Sequence, residues 1–412
     1  MNHVIIGAGA AGIAAARTLL KEQADDTVVM ISEDEEVYSR CMLHRFISGE
    51  RSAESINFIN DGLLSCSRFS WIKGKTVTRI DGETKTVYAG EEKLARGDTI
   101  IIAPGANSVT PPIGDLKTAK NVYGLRHLRD ARAIVEAVTG GARKIAVIGA
   151  GLVGLDAVAG LLELGEKTGV RFDITVIEMA PAILAINLDA RAAETYQRLF
   201  EKAGVTFLLA KKVVNTGGSA EQITSVGLET GESIPCDMVI LAVGVRAAIG
   251  FLEGSGVKTE RAIVVDDKLQ TTVPGIYACG DAAGLSGIWP NAQIQGQLAG
   301  RNIAGWDLAY EDRFAVKNTV NFFDLATLSV GAFNPQEGDE VLLREDRGNY
   351  RKIVLRDGVP VGVVYQGDIG GKGYWQHLIK NKIPIDKPGK SPWKISYADF
   401  WACENNGEFM YG

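Results

Sequence analysis

Six glycines, placed in two clusters of identical spacing, are the residues of this chain best suited to chemistry on a phosphate. The first cluster is Gly7-Ala-Gly9-Ala-Ala-Gly12, directly after the apolar run His3-Val-Ile-Ile6. The second is Gly149-Ala-Gly151-Leu-Val-Gly154, directly after Lys144-Ile-Ala-Val-Ile148. Each apolar run reads as a buried strand, and each cluster opens an Ala/Leu-rich helix. In that context the glycines make a dinucleotide cradle. Unpaired N–H groups and the helix dipole at the helix start attract a pyrophosphate. Side chains at the first two positions of either cluster would block the turn or the phosphate, and one at the third would push the helix off its strand.

A dinucleotide site of this kind needs a carboxylate at the end of the next strand, about 20 residues on, to accept hydrogen bonds from the adenosine ribose. Thr27-Val-Val-Met-Ile31 leads to Glu33, 21 positions after Gly12. Ile174-Thr-Val-Ile177 leads to Glu178, 24 positions after Gly154, the spacing stretched by a polar loop at 165–169. One cradle binds one dinucleotide. Two in series point to two dinucleotides held against each other so that electrons pass between them.

The elements that must position these cradles follow from the pattern. Strands alternate with helical segments to about residue 300, which predicts parallel sheets covered by helices on both faces. Thr99-Ile-Ile-Ile-Ala103-Pro-Gly105 and Asp237-Met-Val-Ile-Leu-Ala-Val-Gly244 are buried strands that break at glycine, where the chain would pass from one domain to another. A further strand ends in Cys279-Gly280-Asp281. Beyond about residue 312, short apolar runs alternate with turn residues, and Asp357-Gly358 is a tight-hairpin signal. This part reads as a smaller, mostly antiparallel domain with a helix near 374–380. Residues 392–412 carry six aromatics. They read either as a tail packed on its own domain or as a docking strap for another subunit, since Trp and Tyr are favoured interface anchors.

Composition bounds the function. The chain has 412 residues, 46% hydrophobic and 23% charged, with a net charge of −6. That acidic balance argues against nucleic acid or an anionic membrane as main partner. No apolar run approaches the roughly 18 residues that would span a bilayer. The first strand starts so near Met1 that no signal peptide is expected, and the reading is a cytoplasmic protein. The five cysteines, at 41, 66, 236, 279 and 403, show neither zinc nor iron–sulfur spacing, so no metal site is expected. His3, His127 and His377 lack ligand spacing and read as structural.

The ordered motifs over residues 1–305 resemble the FAD-dependent pyridine-nucleotide oxidoreductases, two-dinucleotide flavoproteins of the glutathione-reductase structural type. The resemblance is narrower to the branch with rubredoxin and ferredoxin reductases, NADH oxidases and the flavin portion of nitrite reductases. It implies an α/β fold of two Rossmann-like domains, with an NAD domain (115–243) inserted in a split FAD domain (1–114 and 244–311). A small α+β domain (312–412) would follow, at a dimer interface or against the flavin. It implies FAD on the first cradle and NAD(H) on the second. Ala103 and Gly105 then match the crossover motif, Asp281 the flavin ribityl and phosphate contact, and Gln295 the helix under the flavin ring.

The resemblance also implies roles near the reacting rings. The segment Tyr38-Ser-Arg40-Cys41-Met-Leu-His44-Arg45 would run along the flavin. Arg45 stands for the family's lysine near flavin N5, and otherwise makes a surface or ribose-phosphate contact. Arg40 is a candidate pyrophosphate ligand, and His44 lies in the same segment. Cys41 falls near a position where NADH oxidases, peroxidases and coenzyme A-disulfide reductases keep a redox cysteine. A nearby arginine would lower its pKa; the alternative is a small packing residue replacing proline. Position 46 is Phe, so the disulfide of glutathione reductase is excluded. Asp156 stands where the family has a glutamate near the nicotinamide, or else is a first-turn acid favoured by the helix dipole. Glu178, with no Arg or Lys in Met179-Ala180-Pro181, would repel a 2′-phosphate and select NADH over NADPH.

Two functions remain open. The first is an NADH:acceptor oxidoreductase exchanging electrons with an iron–sulfur protein or subunit; a specific form is the NAD-linked flavin subunit of a 2-oxoacid:acceptor oxidoreductase such as phenylglyoxylate dehydrogenase. The second is a stand-alone NADH oxidase, peroxidase or disulfide reductase using Cys41. A homo-oligomer is compatible with either.

Overall fold

The computed structural model describes residues 1–59, 62–312, 317–386, 389–403 and 409–411. The first strand, β1 (Asn2–Ile6), buries Val4, Ile5 and Ile6. It turns at Gly7 into α1 (Ala10–Glu22), and β2 (Thr27–Ile31) returns parallel beside it. A short helix, α2 (Leu43–Ile47), precedes β3 (Phe69–Ile72) at the sheet edge. An antiparallel trio of β4 (Arg79–Asp81), β5 (Thr86–Ala89) and β6 (Glu92–Arg96) then leads to β7 (Thr99–Ile102), parallel to β1 and fully buried.

The chain leaves this sheet along β8 (Ala106–Ser108) and builds a second sheet of the same kind. Its elements are β9 (Val122–Tyr123), α3 (Leu128–Thr139), β10 (Lys144–Ile148), α4 (Leu152–Thr168), β11 (Asp173–Glu178), α5 (Ala190–Lys202) and β12 (Thr206–Leu209). A second antiparallel trio follows, β13 (Val213–Gly218), β14 (Ile223–Leu228) and β15 (Ser233–Pro235), before β16 (Met238–Leu241). The order is β12-β11-β10-β16-β9, all parallel. β17 (Val245–Ala247) returns antiparallel to β8, and β18 (Ile276–Ala278) rejoins the first sheet beside β7. The first sheet is therefore β18-β7-β1-β2-β3.

Both antiparallel trios differ from the continuous strand–helix alternation expected up to residue 300. Their strands are three to six residues long and several of their positions face water. They therefore lack the unbroken apolar runs that mark a buried parallel strand.

Helix α6 (Trp289–Ile303) packs on α1 through small residues. A Cβ on Gly296 would lie 2.1 Å from the Ala11 carbonyl oxygen, so only glycine permits this approach. The last sheet comprises β19 (Lys317–Phe322), β20 (Leu325–Gly331), β21 (Glu340–Asp346), β22 (Asn349–Arg356) and β23 (Val359–Gln366), antiparallel in the order β19-β20-β23-β22-β21. Asp357 (φ 51°) and Gly358 (φ 77°) make the tight β22–β23 turn. α7 (Tyr374–Lys380) packs on this sheet.

The C-terminal sheet is keyed to α5. Tyr196 donates to the Leu325 carbonyl at 2.5 Å within a core shared with Phe322 and Val364. Asp189 caps α5 at the Ala192 amide and also accepts from the Tyr350 hydroxyl at 2.5 Å and Lys352 at 3.1 Å. Of the C-terminal aromatics, Phe400 is buried and Tyr397 lies edge-on to Tyr374 at 5.7 Å, so this part packs on its own domain. The aromatic strap expected further on falls outside the described residues at 404–408 and 412, as do the side-chain positions of Trp401, Phe409 and Tyr411. Among the described residues no helix is long and apolar enough to cross a membrane.

Candidate functional site

A cavity of about 480 Å³ opens at the carboxyl ends of β1, β2 and β7. Its lining begins with the first glycine cluster. Gly7 has φ 105°, and a Cβ there would lie 2.1 Å from the Ala103 carbonyl oxygen. A Cβ on Gly12 would lie 2.0 Å from the Gly7 carbonyl oxygen. Gly9 caps α1 with ordinary extended angles, and a Cβ on it would meet no protein atom within 4 Å. Two of the three glycines are thus fixed by backbone packing, and the third borders open space. A pyrophosphate at the start of α1 fits that cradle.

Around the cavity stand Glu33, Arg40, Cys41, Ala103, Gly105, Gly280 and Asp281. Glu33 faces Arg129 at 3.3 Å and His127 at 3.5 Å. Arg40 is held within the wall, donating to the Arg126 carbonyl at 2.5 Å and to Asp34 at 3.1 Å. Gly105 takes φ 79°, and Gly280 donates its amide to the Gln295 side chain at 2.7 Å. Gln295 is fully buried and is tied in turn to the Tyr310 hydroxyl at 3.0 Å.

Arg126, which the sequence reading passed over, pairs with Asp281. Its Nε donates to the Ala106 carbonyl at 3.0 Å. The segment joining β9 to α3 carries Arg126 back to the cavity, so no local spacing marks it. Its one sequence signal is position, a cation just before a helix whose first turn holds Asp130.

The second cluster repeats the first. Cβ atoms on Gly149 and Gly154 would lie 2.4 Å and 2.1 Å from the Ala242 and Gly149 carbonyl oxygens, whereas Gly151 borders open space. The Glu178 carboxylate accepts from the Ala150 amide at 2.7 Å and the Ala180 amide at 2.8 Å. It is therefore fixed at the mouth of this cradle. Gly244 (φ 108°) turns the chain out of β16.

The segment after β2 meets the helix of the second cradle where α2 packs on α4. A Cβ on Gly160 would lie 2.6 Å from the His44 carbonyl oxygen, so α2 lies directly on α4. Lys167 donates to the Ser48 carbonyl at 2.9 Å. Arg45 pairs with Glu50 at 2.6 Å and Glu163 at 3.1 Å. In this position it clamps α2 to α4. Arg45 is the middle residue of α2, and the packing of α2 on α4 brings Glu163 within its reach.

His44, not Arg45, faces Asp156, at 4.0 Å. Burial lowers the His44 pKa to about 4, with Arg45 adding to the shift. Burial raises the Asp156 pKa to about 7, with Arg45 opposing. Both shifts favour uncharged forms, so this is a polar contact and not an ion pair. A consequence for stability follows. Between about pH 4 and 7 the native protein keeps a proton on Asp156 that an unfolded aspartate has released. The contribution of Asp156 is thus lost as pH rises through 7. His44 acts oppositely, because the unfolded chain takes up a proton below about pH 6.5 that the native site refuses. Asp156→Asn removes the aspartate's contribution alone. Its gain in stability over the wild type should grow from pH 4.5 to pH 8. At face value three pKa units correspond to about 4 kcal/mol, but the side chain is 31% exposed, and screening reduces this to about 1–2 kcal/mol. Urea melts at the two pH values measure it, and a pH-independent gain would contradict the assignment.

Cys41 is solvent-accessible at the cavity edge. Its thiol pKa is raised, by burial first and then by Asp156 and Asp281, which together outweigh Arg126. The expected activation of the thiol by a neighbouring arginine is therefore reversed, first by burial and then by the two carboxylates. Among the described residues no group of three His, Cys, Asp or Glu side chains is placed to hold a metal ion. His3 is buried between Thr99 and Asp26, a structural position.

Comparisons with known proteins agree with this geometry. Residues 1–296 match the family described as pyridine nucleotide-disulphide oxidoreductase, and residues 317–383 match the rubredoxin NAD+ reductase C-terminal domain. A nitrite reductase [NAD(P)H] of Bacillus subtilis is 29% identical over 94% of this chain and 48% of its own length. The chain thus spans about half the length of that relative. An NADH oxidase of Methanocaldococcus jannaschii is 33% identical, over 74% of this chain and 70% of its own length. The epsilon subunit of an NADH-dependent phenylglyoxylate dehydrogenase of Aromatoleum evansii is 27% identical over 93% of this chain and 92% of its own. Among solved structures, a water-forming NADH oxidase from Lactobacillus brevis has the same fold, with a TM-score of 0.82 at 20% identity over 95% of this chain and 94% of that one. The match over residues 1–296, together with two glycine clusters whose first and third positions leave no room for a side chain, shows the family: the chain belongs to the pyridine nucleotide-disulphide oxidoreductases, with two Rossmann-like domains and a small C-terminal sheet domain.

Proposed function

We propose that the protein moves electrons between NAD(H) and an iron–sulfur protein or subunit through FAD held in the first cradle. The observation that supports this reading is the α2–α4 contact at Gly160, which packs a helix from residues 1–114 onto the helix that opens at the second glycine cluster. On this reading residues 1–114 and 244–311 form the FAD unit, 115–243 the NAD unit, and 312–412 the C-terminal domain.

FAD, when bound, takes up the two electrons of a hydride together and releases them singly to a one-electron carrier. The chain's own residues do the rest. Gly7, Gly9 and the start of α1 receive the pyrophosphate, and Glu33 accepts from the adenosine ribose. Asp281, oriented by Arg126, accepts from the ribityl side, and Gln295 fixes the Gly280 turn beneath it. Gly149, Gly151 and Glu178 hold NAD(H), and His44 and Asp156 line the junction. Catalysis here is chiefly positioning, since hydride transfer between stacked rings needs little acid–base help.

The epsilon subunit named above supports a finer version, in which the chain is the NAD-linked flavin subunit of a 2-oxoacid:acceptor oxidoreductase and works in the direction of NAD+ reduction. Anaerobic stopped flow tests the general reading. NADH should bleach the flavin, and a one-electron iron–sulfur carrier should restore its colour. A flavin that NADH leaves oxidised would overturn it.

Cys41 favours a second reading, a stand-alone oxidase or disulfide reductase, because it borders the cavity. The raised thiol pKa weighs against it. Cys41→Ser should therefore leave NADH-to-dye turnover within about twofold of wild type. Loss of peroxide or small-disulfide turnover by tenfold or more in that variant would instead make the thiol the electron outlet.

A further inference from the structure

Glu33-Asp34-Glu35-Glu36 is an unbroken run of carboxylates just after β2. Glu33 and Asp34 line the first cavity, where the pyrophosphate of a dinucleotide, itself an anion, must lie. Like charges so placed weaken binding unless cations offset them. The fold brings those cations from a distant segment. Helix α3 buries Leu128, Ala131, Ile134 and Val138 in the same core as Ile145 and Val147 of β10, so it belongs to the second sheet. With that face buried, Arg129 and Arg132 stand exposed and, three positions apart, side by side.

The two arginines meet the acidic run in register. Arg129 reaches Glu33 at 3.3 Å, and Arg132 reaches Glu36 at 2.8 Å. Both pairs span 96 positions of sequence. Between them, Asp34 pairs with Arg40 at 3.1 Å, and Arg40 donates to the Arg126 carbonyl, just before α3, at 2.5 Å. The His127 ring lies 3.5 Å from both Glu33 and Asp34. Burial lowers the Arg129 pKa, but attraction to Glu33 more than offsets this, and the net shift is upward.

We infer that the first turns of α3 are a clasp on the FAD site, in which Arg129 positions the Glu33 carboxylate for the adenosine ribose and Arg132 anchors the far end of the same run through Glu36. The inference rests on the placement of FAD in the first cradle and adds that a helix of the second sheet completes that site. Arg129 and His127 both engage Oε1 of Glu33, which leaves Oε2 to the ribose. Fixing the carboxylate before the ribose arrives removes an ordering cost from binding. Arg129 and Arg132 are positioning residues, since both act through carboxylates. Their side chains are 56% and 51% exposed, so each pair contributes modestly and the effect is screened by salt.

The test strips the full-length protein of flavin and measures the Kd for FAD by equilibrium dialysis. At low ionic strength Arg129→Gln should raise the Kd about threefold to fivefold. Arg132→Glu, which sets like charges face to face, should raise it about tenfold. The exchanged pair Arg132→Glu/Glu36→Arg restores the attraction with its signs reversed and should recover most of that loss. In a Glu33→Ala background Arg129→Gln should add less than twofold, because the group it positions is gone. All the losses should shrink at about 0.5 M salt, where charges are screened within a few ångströms. Melting temperatures of the flavin-free variants should stay within a few degrees of the wild type, which a purely structural role for these arginines would not allow. Arg129→Gln equal to wild type at low salt, additive effects of Glu33→Ala and Arg129→Gln, or an exchanged pair no better than Arg132→Glu would each overturn the clasp. Glu33→Ala protein that binds FAD as tightly as wild type is a distinct result, which removes the ribose from Glu33 and sinks both the clasp and the placement of FAD on which it rests.

Discussion

Gly9→Leu should yield a folded protein that purifies without colour. The backbone at Gly9 has φ −84° and ψ −171°, open to any residue, so the substitution stores no strain. A Cβ there meets no protein atom within 4 Å, and the residue borders the cavity where the pyrophosphate must lie. The leucine therefore costs the fold little and occupies the phosphate's space. Flavin affinity should drop by at least about a hundredfold, equivalent to roughly 3 kcal/mol. The melting temperature should stay within a few degrees of the wild-type apoprotein.

Gly12→Ala is the contrast. Its methyl would lie 2.0 Å from the Gly7 carbonyl oxygen, so α1 must move off β1. That is overpacking in a core, with a cost of about 1–3 kcal/mol or more whether or not flavin is present. Gly151→Leu is the mirror of Gly9→Leu: the protein should be yellow and stable, yet kcat/KM for NADH should fall about a hundredfold or more. Absorbance ratio, far-UV circular dichroism and anaerobic bleaching separate the three outcomes. A Gly9→Leu protein that keeps its full complement of flavin would show that the first cradle does not hold the pyrophosphate.

The contrast also marks what the sequence could and could not disclose. The cradles were legible because their pattern is local: strand, turn and helix start follow one another within about ten residues, and Gly12 and Gly154 are forced by the Gly7 and Gly149 carbonyls inside that unit, although Gly7 and Gly149 are themselves fixed by Ala103 and Ala242 of distant segments. The long-range return of β18 to the first sheet was legible only through the breaks at Gly105 and Gly244. Arg126 was not legible, since it reaches Asp281 across 155 positions and no repeat or spacing encodes that approach. The partners of Arg45 and His44 on α4, Glu163 and Asp156, were not legible for a related reason. The short antiparallel trios escaped because half-exposed strands of a few residues have no distinctive periodicity. The direction of the Cys41 pKa was not legible because the burial that raises it, and then Asp156 and Asp281, are brought in by the fold.

Coenzyme choice rests on one such fold-assembled detail. Glu178 ends β11 and is held by two backbone amides, so it cannot swing away from an arriving ribose. A 2′-phosphate about 5 Å from this carboxylate would meet repulsion on the order of 3 kcal/mol at an effective dielectric near 20. That corresponds to a preference for NADH of about a hundredfold in kcat/KM. The fold adds a residue absent from the neighbouring sequence: the β11–β12 pairing brings the Lys211 amide to the Glu178 carbonyl at 2.9 Å. If its ammonium reaches the ribose, that cation would soften the repulsion without reversing it, since Glu178 stays fixed by both amides. Glu178→Gln removes the charge and keeps one acceptor for an amide, so NADPH turnover should rise about tenfold while NADH turnover falls by a smaller factor. Lys211→Gln should widen the preference of the otherwise unaltered protein. Steady-state kinetics with both coenzymes decide the matter, and equal or greater kcat/KM for NADPH in the unaltered protein would refute the electrostatic account, because the carboxylate would then be directing selectivity toward the ligand it repels.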